Sequence, residues 1–170
     1  MEDAKYTSLL GEYRLIRISI DEILSDVQRV KDSLESDDDE LFDEVKYIDR
    51  MTKAVETGFA IRSIKNGVDT GFIYINQPNN REAEGATILF KDEVDSFICV
   101  ARYLITMYPK LKRVRMYPHK SNLKYLVSIA TGTSLLDYHS GAPYIKIGLS
   151  RLKGLLARYN KYIGLRQCQQ

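Results

Sequence analysis

Three strand-like segments followed directly by a long apolar helix form the feature of this sequence that most restricts its fold. Residues 59–65 and 70–76 are rich in β-branched and aromatic side chains, and Asn66-Gly67 between them is a strong hairpin signal, because both residues tolerate positive φ. Residues 85–91 predict a third strand. Residues 94–108 then carry apolar side chains at helical spacing, and the proline that follows ends the helix. A strand meander that leads into such a helix predicts an α/β domain.

The residues before this meander predict one strand and two helices. Residues 12–19 are β-branched and partly alternating, as in a strand. Asp21 is a candidate cap for the first helix, whose apolar residues recur at helical spacing. A second helix is predicted over residues 39–56. The acidic run at 36–40 is interpreted as a solvated loop between the two helices rather than as a cation site.

The residues after the central helix alternate between strand and helix patterns. The predicted elements are a strand at 111–117, a helix from Ser121 or Asn122 to Thr131, strands at 135–139 and 144–149, and a helix at 150–163. The full order is β-α-α-β-β-β-α-β-α-β-β plus a C-terminal helix, which implies a mixed central sheet with helices on both faces. We expect a single domain over residues 1–170, in which 150–170 form a C-terminal helix and tail.

Charge is divided unevenly along the chain. Residues 1–57 have a net charge of −8, and residues 58–170 have a net charge of +10. Such a division predicts a polar partner for one face. The basic residues with tyrosines at 108–117 allow a nucleic acid as that partner, but a solvated strand face explains them better. A basic surface equally suits a phosphorylated cofactor.

Composition also bounds the location of the protein. No stretch is apolar for long enough to span a bilayer, and the first five residues lack the basic and apolar regions of a secretory signal. Cys99 and Cys168 form neither a disulfide framework nor a metal-ligand spacing. We therefore expect a reduced, cytoplasmic protein, or a virion protein if its origin is viral, with no metal site and no membrane partner.

This order of elements resembles the GNAT acyltransferase superfamily over about residues 12–149. The Phe59 strand with Gly71-Phe-Ile-Tyr-Ile is similar to the second and third strands of that family, and residues 114–132 are similar to its fifth strand and fourth helix. The resemblance implies acetyl-CoA as the cofactor. In the family, backbone N–H groups of a Gly-rich turn hold the pyrophosphate where a helix follows the fourth strand, aided by the helix dipole.

Carried over to this chain, the resemblance places the cofactor on one strand end and on two helix starts. The residues implied are Ile88, Leu89, Phe90, Val94, Asp95, Ser96 and Asn122. The turn that matches the Gly-rich motif, Lys91-Asp92-Glu93-Val94-Asp95-Ser96, contains no glycine. Its three carboxylates would repel a pyrophosphate, whereas they suit the N-terminus of a helix.

Two catalytic candidates lie in the C-terminal half, one suggested by the resemblance and one by its position after a strand. In the family, a tyrosine in the fourth helix often protonates the leaving thiolate. Counted back from Gly132, that position falls on Ser128, and Tyr125 lies nearby but out of phase. His119 follows the predicted strand at 111–117 and is a candidate general base. Each has a structural alternative, because Tyr125 could be a packing residue and His119 a surface loop residue.

Two functions therefore stay open. The first is a protein that keeps the GNAT fold but has lost acetyl transfer and acts as a binding or assembly component, for example of a phage or other viral particle. A protein partner or a homo-oligomer would fit the apolar side chains of the C-terminal stretch, Tyr159, Tyr162, Ile163 and Leu165. The second is a divergent acyl-CoA-dependent N-acyltransferase, whose amine acceptor enters from the acidic N-terminal half. We favour the first, because both the Gly-rich turn and the tyrosine are missing.

Overall fold

The computed structural model describes residues 3–34, 42–76, 82–90, 94–116, 134–136 and 143–168. Its strands are β1 Ala4–Ser8, β2 Gly11–Arg17, β3 Phe59–Lys65, β4 Val68–Asn76, β5 Glu82–Phe90, β6 Arg113–Met116, β7 Ser134–Leu136, β8 Pro143–Gly148 and β9 Arg166–Gln167. Its helices are α1 Ile23–Asp32, preceded by a 3-10 turn at Ile20–Glu22, α2 Glu44–Thr57, α3 Val94–Met107 and α4 Leu149–Ile163.

The nine strands found in the described residues join one mixed sheet, in the order β7-β8-β6-β5-β4-β3-β2-β1-β9. The pair β5 and β6 is parallel, and every other pair is antiparallel. The predicted mixed α/β sheet is confirmed, including the order of the predicted elements that lie within the described residues. The helix predicted up to Thr131 lies outside those residues.

Helices cover both faces of the sheet, as predicted. On one face α1 and α2 enclose a core with β3, β4 and β5, whose buried members include Val27, Val30, Met51, Phe72 and Tyr74. On the other face α3 and α4 pack over a larger core, whose buried members include Tyr6, Leu15, Phe59, Phe97, Leu104 and Leu156. The apolar stripe predicted at 94–108 corresponds to α3, and most of its apolar side chains are buried in this second core.

The Asn66-Gly67 turn joins β3 to β4 as the sequence predicts. Both residues have positive φ, 50° for Asn66 and 84° for Gly67, which a two-residue hairpin turn of this kind requires. The turn also holds β2 in place, because the Asn66 N–H donates to the Glu12 carbonyl and the Asn66 side chain accepts from the Glu12 N–H, each at 2.9 Å.

Two strands at the ends of the chain were not predicted. β1 pairs with β2 along its whole length, and β9 pairs with β1 at the edge of the sheet. Ile163 and Leu165 are buried in the core of the same chain, and Tyr159 packs against it. The apolar C-terminal stretch is therefore largely used within this chain, which corrects its interpretation as a partner surface. Tyr162 of that stretch stays 79% exposed.

The start of the first helical segment also differs from the prediction. Ser19, and not Asp21, is the N-cap, and it forms a capping box with Glu22 before α1 begins. At α2, Asp43 is the N-cap, and its side chain accepts from the Lys46 N–H at 3.0 Å. Among the described residues, no helix is long and apolar enough to span a membrane.

Candidate functional site

The described part of β6 pairs in parallel with the first part of β5. Glu82, Ala83 and Ala86 of β5 pair with β6, and the last of these pairs is with Met116. The pairing of β5 with β4, in contrast, continues to Phe90. Residues 87–90 of β5 lie beyond the pair with Met116, where the described part of β6 ends. In an antiparallel ladder such as β4–β5, alternate peptide groups of this segment turn toward the β6 side.

A β-bulge lies in the middle of β5. Ala83 and Ala86 of β5 pair with Val114 and Met116 of β6, so β5 has one residue more than β6 between these two pairs. Glu84 and Thr87 pair with Asn76 and Tyr74 of β4, so β5 also has one residue more than β4 between these pairs. The registers with both neighbouring strands therefore show one extra residue in β5, next to Gly85. A bulge bends its strand and re-aims backbone groups, and bulges are over-represented beside active sites.

The residues predicted to hold a cofactor on β5 contribute their side chains to the two cores. Ile88 and Phe90 are buried under α3, and Leu89 is buried on the α1 and α2 face. Their side chains are therefore packing residues, and a ligand between β5 and β6 would meet their backbone. This is the kind of contact that the resemblance implied, and it stays a prediction.

Asp95, in the first turn of α3, points into the protein. Its carboxylate lies 2.8 Å from the Lys65 ammonium at the end of β3 and accepts a hydrogen bond from the Tyr13 hydroxyl of β2. Burial alone would raise the pKa of Asp95, but the hydrogen bonds from Lys65 and Tyr13 outweigh it and hold that pKa below its ordinary value. The same burial and the bond to Asp95 raise the pKa of Tyr13, which stays neutral.

Ser96 and Val94 complete the first turn of α3. Ser96 is fully buried, and its hydroxyl accepts a hydrogen bond from the Thr70 hydroxyl at 2.9 Å. Val94 is half-buried against the α3 core. Asp95 and Ser96 thus tie the start of α3 to β2, β3 and β4. The expected repulsion of a pyrophosphate by Asp95 is offset by the Lys65 charge; Asp92 and Glu93 lie outside the described residues.

The catalytic candidates are not placed by the structure. His119, Tyr125 and Asn122 lie outside the described residues, and so do the family-matched position Ser128 and the cap candidate Ser121. Their roles remain predictions from the sequence.

A partly buried ionic network on the opposite face of the sheet was not predicted from the sequence. Asp26 of α1 accepts from Arg62 and from the Tyr74 hydroxyl, both at 2.6 Å, and Arg62 also donates to Asp69 at 2.6 Å. Arg29 makes a two-pronged pair with Asp69 at 2.8 and 3.1 Å. The one sequence signal was Arg62 itself, a charge inside the apolar strand Phe-Ala-Ile-Arg-Ser-Ile. This network fixes α1 to the β3–β4 hairpin.

No protein-family model and no curated protein matches the sequence. Among solved structures, RimJ of Mycobacterium smegmatis in complex with CoA-disulfide superposes with a TM-score of 0.53 at 10% identity, covering 93% of this chain and 95% of that one. A spermidine N-acetyltransferase SpeG chimera from Vibrio cholerae and hSSAT gives 0.53 at 12% identity, covering 83% and 98%. The chain has the GNAT acetyltransferase fold.

A third similar structure shows coenzyme A on this fold. PaiA N-acetyltransferase of Thermoplasma acidophilum, in complex with coenzyme A, superposes with a TM-score of 0.50 at 13% identity, covering 80% of this chain and 98% of that one. At such identities the likeness concerns the GNAT fold alone. The resemblance seen in the order of the elements is thereby confirmed at the level of the fold.

Proposed function

We propose that this GNAT-fold chain binds an acyl-coenzyme A thioester between β5 and β6 and transfers its acyl group to an amine. The observation that carries the proposal is the β-bulge that bends β5 beside Gly85, before the strand end at Phe90. A ligand with an extended amide-bearing chain fits such a strand end, because it can bond to backbone groups that turn toward the β6 side.

The backbone of β5 suits contact with the extended chain of the cofactor, whereas the turn before α3 suits the pyrophosphate less well. The backbone of Leu89 and Phe90 would contact the extended chain of the cofactor, and the N-terminus of α3 would face its pyrophosphate. The pairing of Asp95 with Lys65 removes one uncompensated negative charge from that helix start. When bound, the cofactor supplies an activated acyl group. Since the turn at 91–96 has no glycine, we expect weaker binding than a Gly-rich turn gives.

The chain's own residues would then position and move protons. Asp95 and Ser96 hold the first turn of α3 against the sheet, so the helix N-terminus is fixed before a ligand arrives. His119 is our candidate to take the proton of the amine, and Tyr125 is our candidate to protonate the leaving thiolate. The amine would approach from the acidic N-terminal half, because a cationic acceptor is attracted by residues with a net charge of −8.

A second function is favoured by one specific observation. Lys91 to Ser96 contains three carboxylates and no glycine, a composition that serves a helix start better than a phosphate. If the fold is kept without the cofactor, the chain is a binding or assembly component, and a phage or viral particle is the context we would examine first.

Acetyl-CoA binding separates the two functions. A ligand that binds only the native state stabilises it by about 2.7 kcal/mol at one hundred times its Kd, which corresponds to a rise in melting temperature of roughly 5–11 °C for a chain of this size. Scanning fluorimetry with saturating acetyl-CoA measures the shift, and acetate at equal ionic strength is the control. No shift would contradict the enzyme and favour the assembly protein.

Acyl transfer is tested separately by the release of free thiol with a panel of amines. In the acyltransferase, Tyr125→Phe lowers kcat by about 10²-fold or more if the tyrosine is the general acid, and the acetyl-CoA shift remains. An unchanged kcat in Tyr125→Phe would remove that residue from the mechanism while leaving cofactor binding intact.

A further inference from the structure

An open groove of about 510 Å³ lies on the sheet over β1 and β2, and no residue of a described helix lines it. On the same face of the sheet, α1 and α2 pack over the neighbouring strands β3, β4 and β5. Ile64 and Asn66, at the end of β3 and in the hairpin turn, form one side of the groove, and Cys168 lies on the other. A groove of this volume is large enough to hold a small organic ligand.

The charged side chains of the groove come from alternate positions of β1 and β2. Tyr6 and Tyr13 are buried in the core under α3 and α4. Because successive side chains of a strand point to opposite faces, Lys5, Glu12 and Arg14 point away from that core, and all three line the groove. Each of the three is exposed. The alternation of the two strands therefore places two cations and one carboxylate on the floor of one groove.

The two cations lie directly opposite each other. Lys5 pairs with Arg14 in the register of β1 with β2, and like charges at such a pair destabilise a sheet. Asp3 accepts from one nitrogen of the Arg14 guanidinium at 3.2 Å, but a guanidinium has five N–H groups to donate. Among the described residues, the Lys5 ammonium makes neither an ion pair nor a hydrogen bond. An anionic group above the two cations would therefore stabilise them.

Glu12 adds a charge of opposite sign at a fixed spacing. It lies two residues before Arg14 on β2, which is about 7 Å along the strand. Asn66 of the hairpin turn holds its backbone through two hydrogen bonds of 2.9 Å, whereas its carboxylate has no partner within the part of the chain that the structure describes. This carboxylate would repel a simple anion, but a ligand that also carries an ammonium would meet both signs of charge.

We infer that the groove binds a zwitterion of dipeptide size, with its carboxylate on Lys5 and Arg14 and its ammonium on Glu12. Two residues of an extended chain span up to about 7 Å, which matches the spacing of Glu12 and Arg14 along the strand. Ile64 at the side of the groove gives the body of the ligand an apolar contact. Because β3 and β4 separate the groove from β5, the inference is independent of acetyl-CoA binding.

Ligands with one sign of charge fit the groove less well. An inorganic anion or a nucleic-acid phosphate would satisfy the two cations and would face the Glu12 carboxylate with a like charge. A simple cationic amine would satisfy Glu12 and would face Lys5 and Arg14 in the same way. Only a ligand with both charges pairs every one of the three side chains.

Titration of the isotope-labelled full chain with alanylalanine tests the inference, because amide chemical shifts in NMR spectra detect the millimolar affinity expected of so small a ligand. N-acetyl-alanylalanine lacks the ammonium and alanylalanine amide lacks the carboxylate, so these two are the matched probes. Alanylalanine should shift the amide signals of β1 and β2 and bind about threefold or more tightly than either blocked form. Equal binding of all three probes, or no shift at all, would overturn the inference.

Two substitutions assign the ends of the ligand. Arg14→Gln should weaken the binding of alanylalanine about threefold or more and should not weaken that of the amide, which has no carboxylate to pair. Glu12→Gln should weaken alanylalanine to a similar extent and leave N-acetyl-alanylalanine unchanged. A variant that weakens all three probes equally would contradict the assignment, and the spectra themselves show whether each variant is folded.

Lys110→Gln and Glu56→Gln are the matched controls. Both side chains are exposed, and neither lines the groove, so the binding of alanylalanine should stay as in the wild type. A loss equal to that of the groove variants would mean that the net charge of the chain drives binding. Acetate that binds as tightly as alanylalanine would show an anion site without a role for Glu12, and would also overturn the inference.

Discussion

Removing the charge of Asp95 is the sharpest test of how the start of α3 is held. The Asp95 and Lys65 side chains are 7% and 19% exposed, with 2.8 Å between carboxylate and ammonium. Asp95→Asn keeps the shape of the side chain but removes the carboxylate charge that lies beside the Lys65 ammonium. It also replaces the strong acceptor of the Tyr13 hydroxyl by a weaker one.

The size of the effect follows from these exposures. Breaking a buried ion pair by removing one partner costs about 3–5 kcal/mol, and losing a carboxylate near a helix N-terminus adds about 0.3–1 kcal/mol. The partly exposed Lys65 can turn its ammonium toward water, so we take the lower end, about 3 kcal/mol. For a chain of this length that lowers the melting temperature by roughly 6–12 °C.

Urea denaturation followed by far-UV circular dichroism measures the loss, and a double-mutant cycle with Lys65→Met assigns it. In the Lys65→Met background, Asp95→Asn should cost about 1–3 kcal/mol less than it does alone, because the ammonium that pairs with Asp95 is already gone. A free energy of unfolding within about 0.5 kcal/mol of the wild type, or strict additivity of the two substitutions, would refute the reasoning.

Two other perturbations have defined outcomes. Gly71→Ala should destabilise by roughly 3 kcal/mol, because Gly71 has a φ of 143° and a Cβ there would lie 2.1 Å from the Leu89 carbonyl oxygen. Gly154→Ala, in open space on α4, should instead stabilise by about 0.5–1 kcal/mol, and equal effects in urea melts would contradict this contrast. Burial would raise the pKa of Asp69, but hydrogen bonds from Arg29 and Arg62 hold that pKa below its ordinary value. The stabilising contribution of Asp69 is therefore complete above about pH 4. It is lost as the pH falls through the lowered pKa. Chemical melts from pH 6 to pH 2.5 should show this loss, and it should be smaller in Asp69→Asn; an identical acid slope in that variant would count against the pairing.

Much of the fold could be predicted from local patterns. The Asn66-Gly67 turn fixed the β3–β4 hairpin, because positive φ at both residues has few alternatives. The apolar stripe of α3 had the length and period of a buried helix. The order of these elements was enough to indicate the GNAT fold, which depends on topology rather than on residue identity.

The features that could not be predicted depend on contacts between distant residues. β1 and β9 are short, and they become strands because β1 pairs with β2 and β9 in turn pairs with β1. The bulge next to Gly85 shows only as a shift against both neighbouring strands. Asp95 pairs with Lys65, which lies thirty positions earlier in the chain. The local sequence around Asp95 therefore shows a carboxylate at a helix start but not the ammonium beside it.

Hydrogen exchange with and without acetyl-CoA tests the proposed site most directly. Amide exchange followed by mass spectrometry reports which backbone groups a ligand protects. The proposal predicts that acetyl-CoA slows exchange in the peptides that cover β5, residues 82–90, and the start of α3 at Val94 to Ser96, while peptides of α2 are unchanged as an internal control. Unchanged exchange at saturating acetyl-CoA, or protection confined to other parts of the chain, would contradict a cofactor site between β5 and β6.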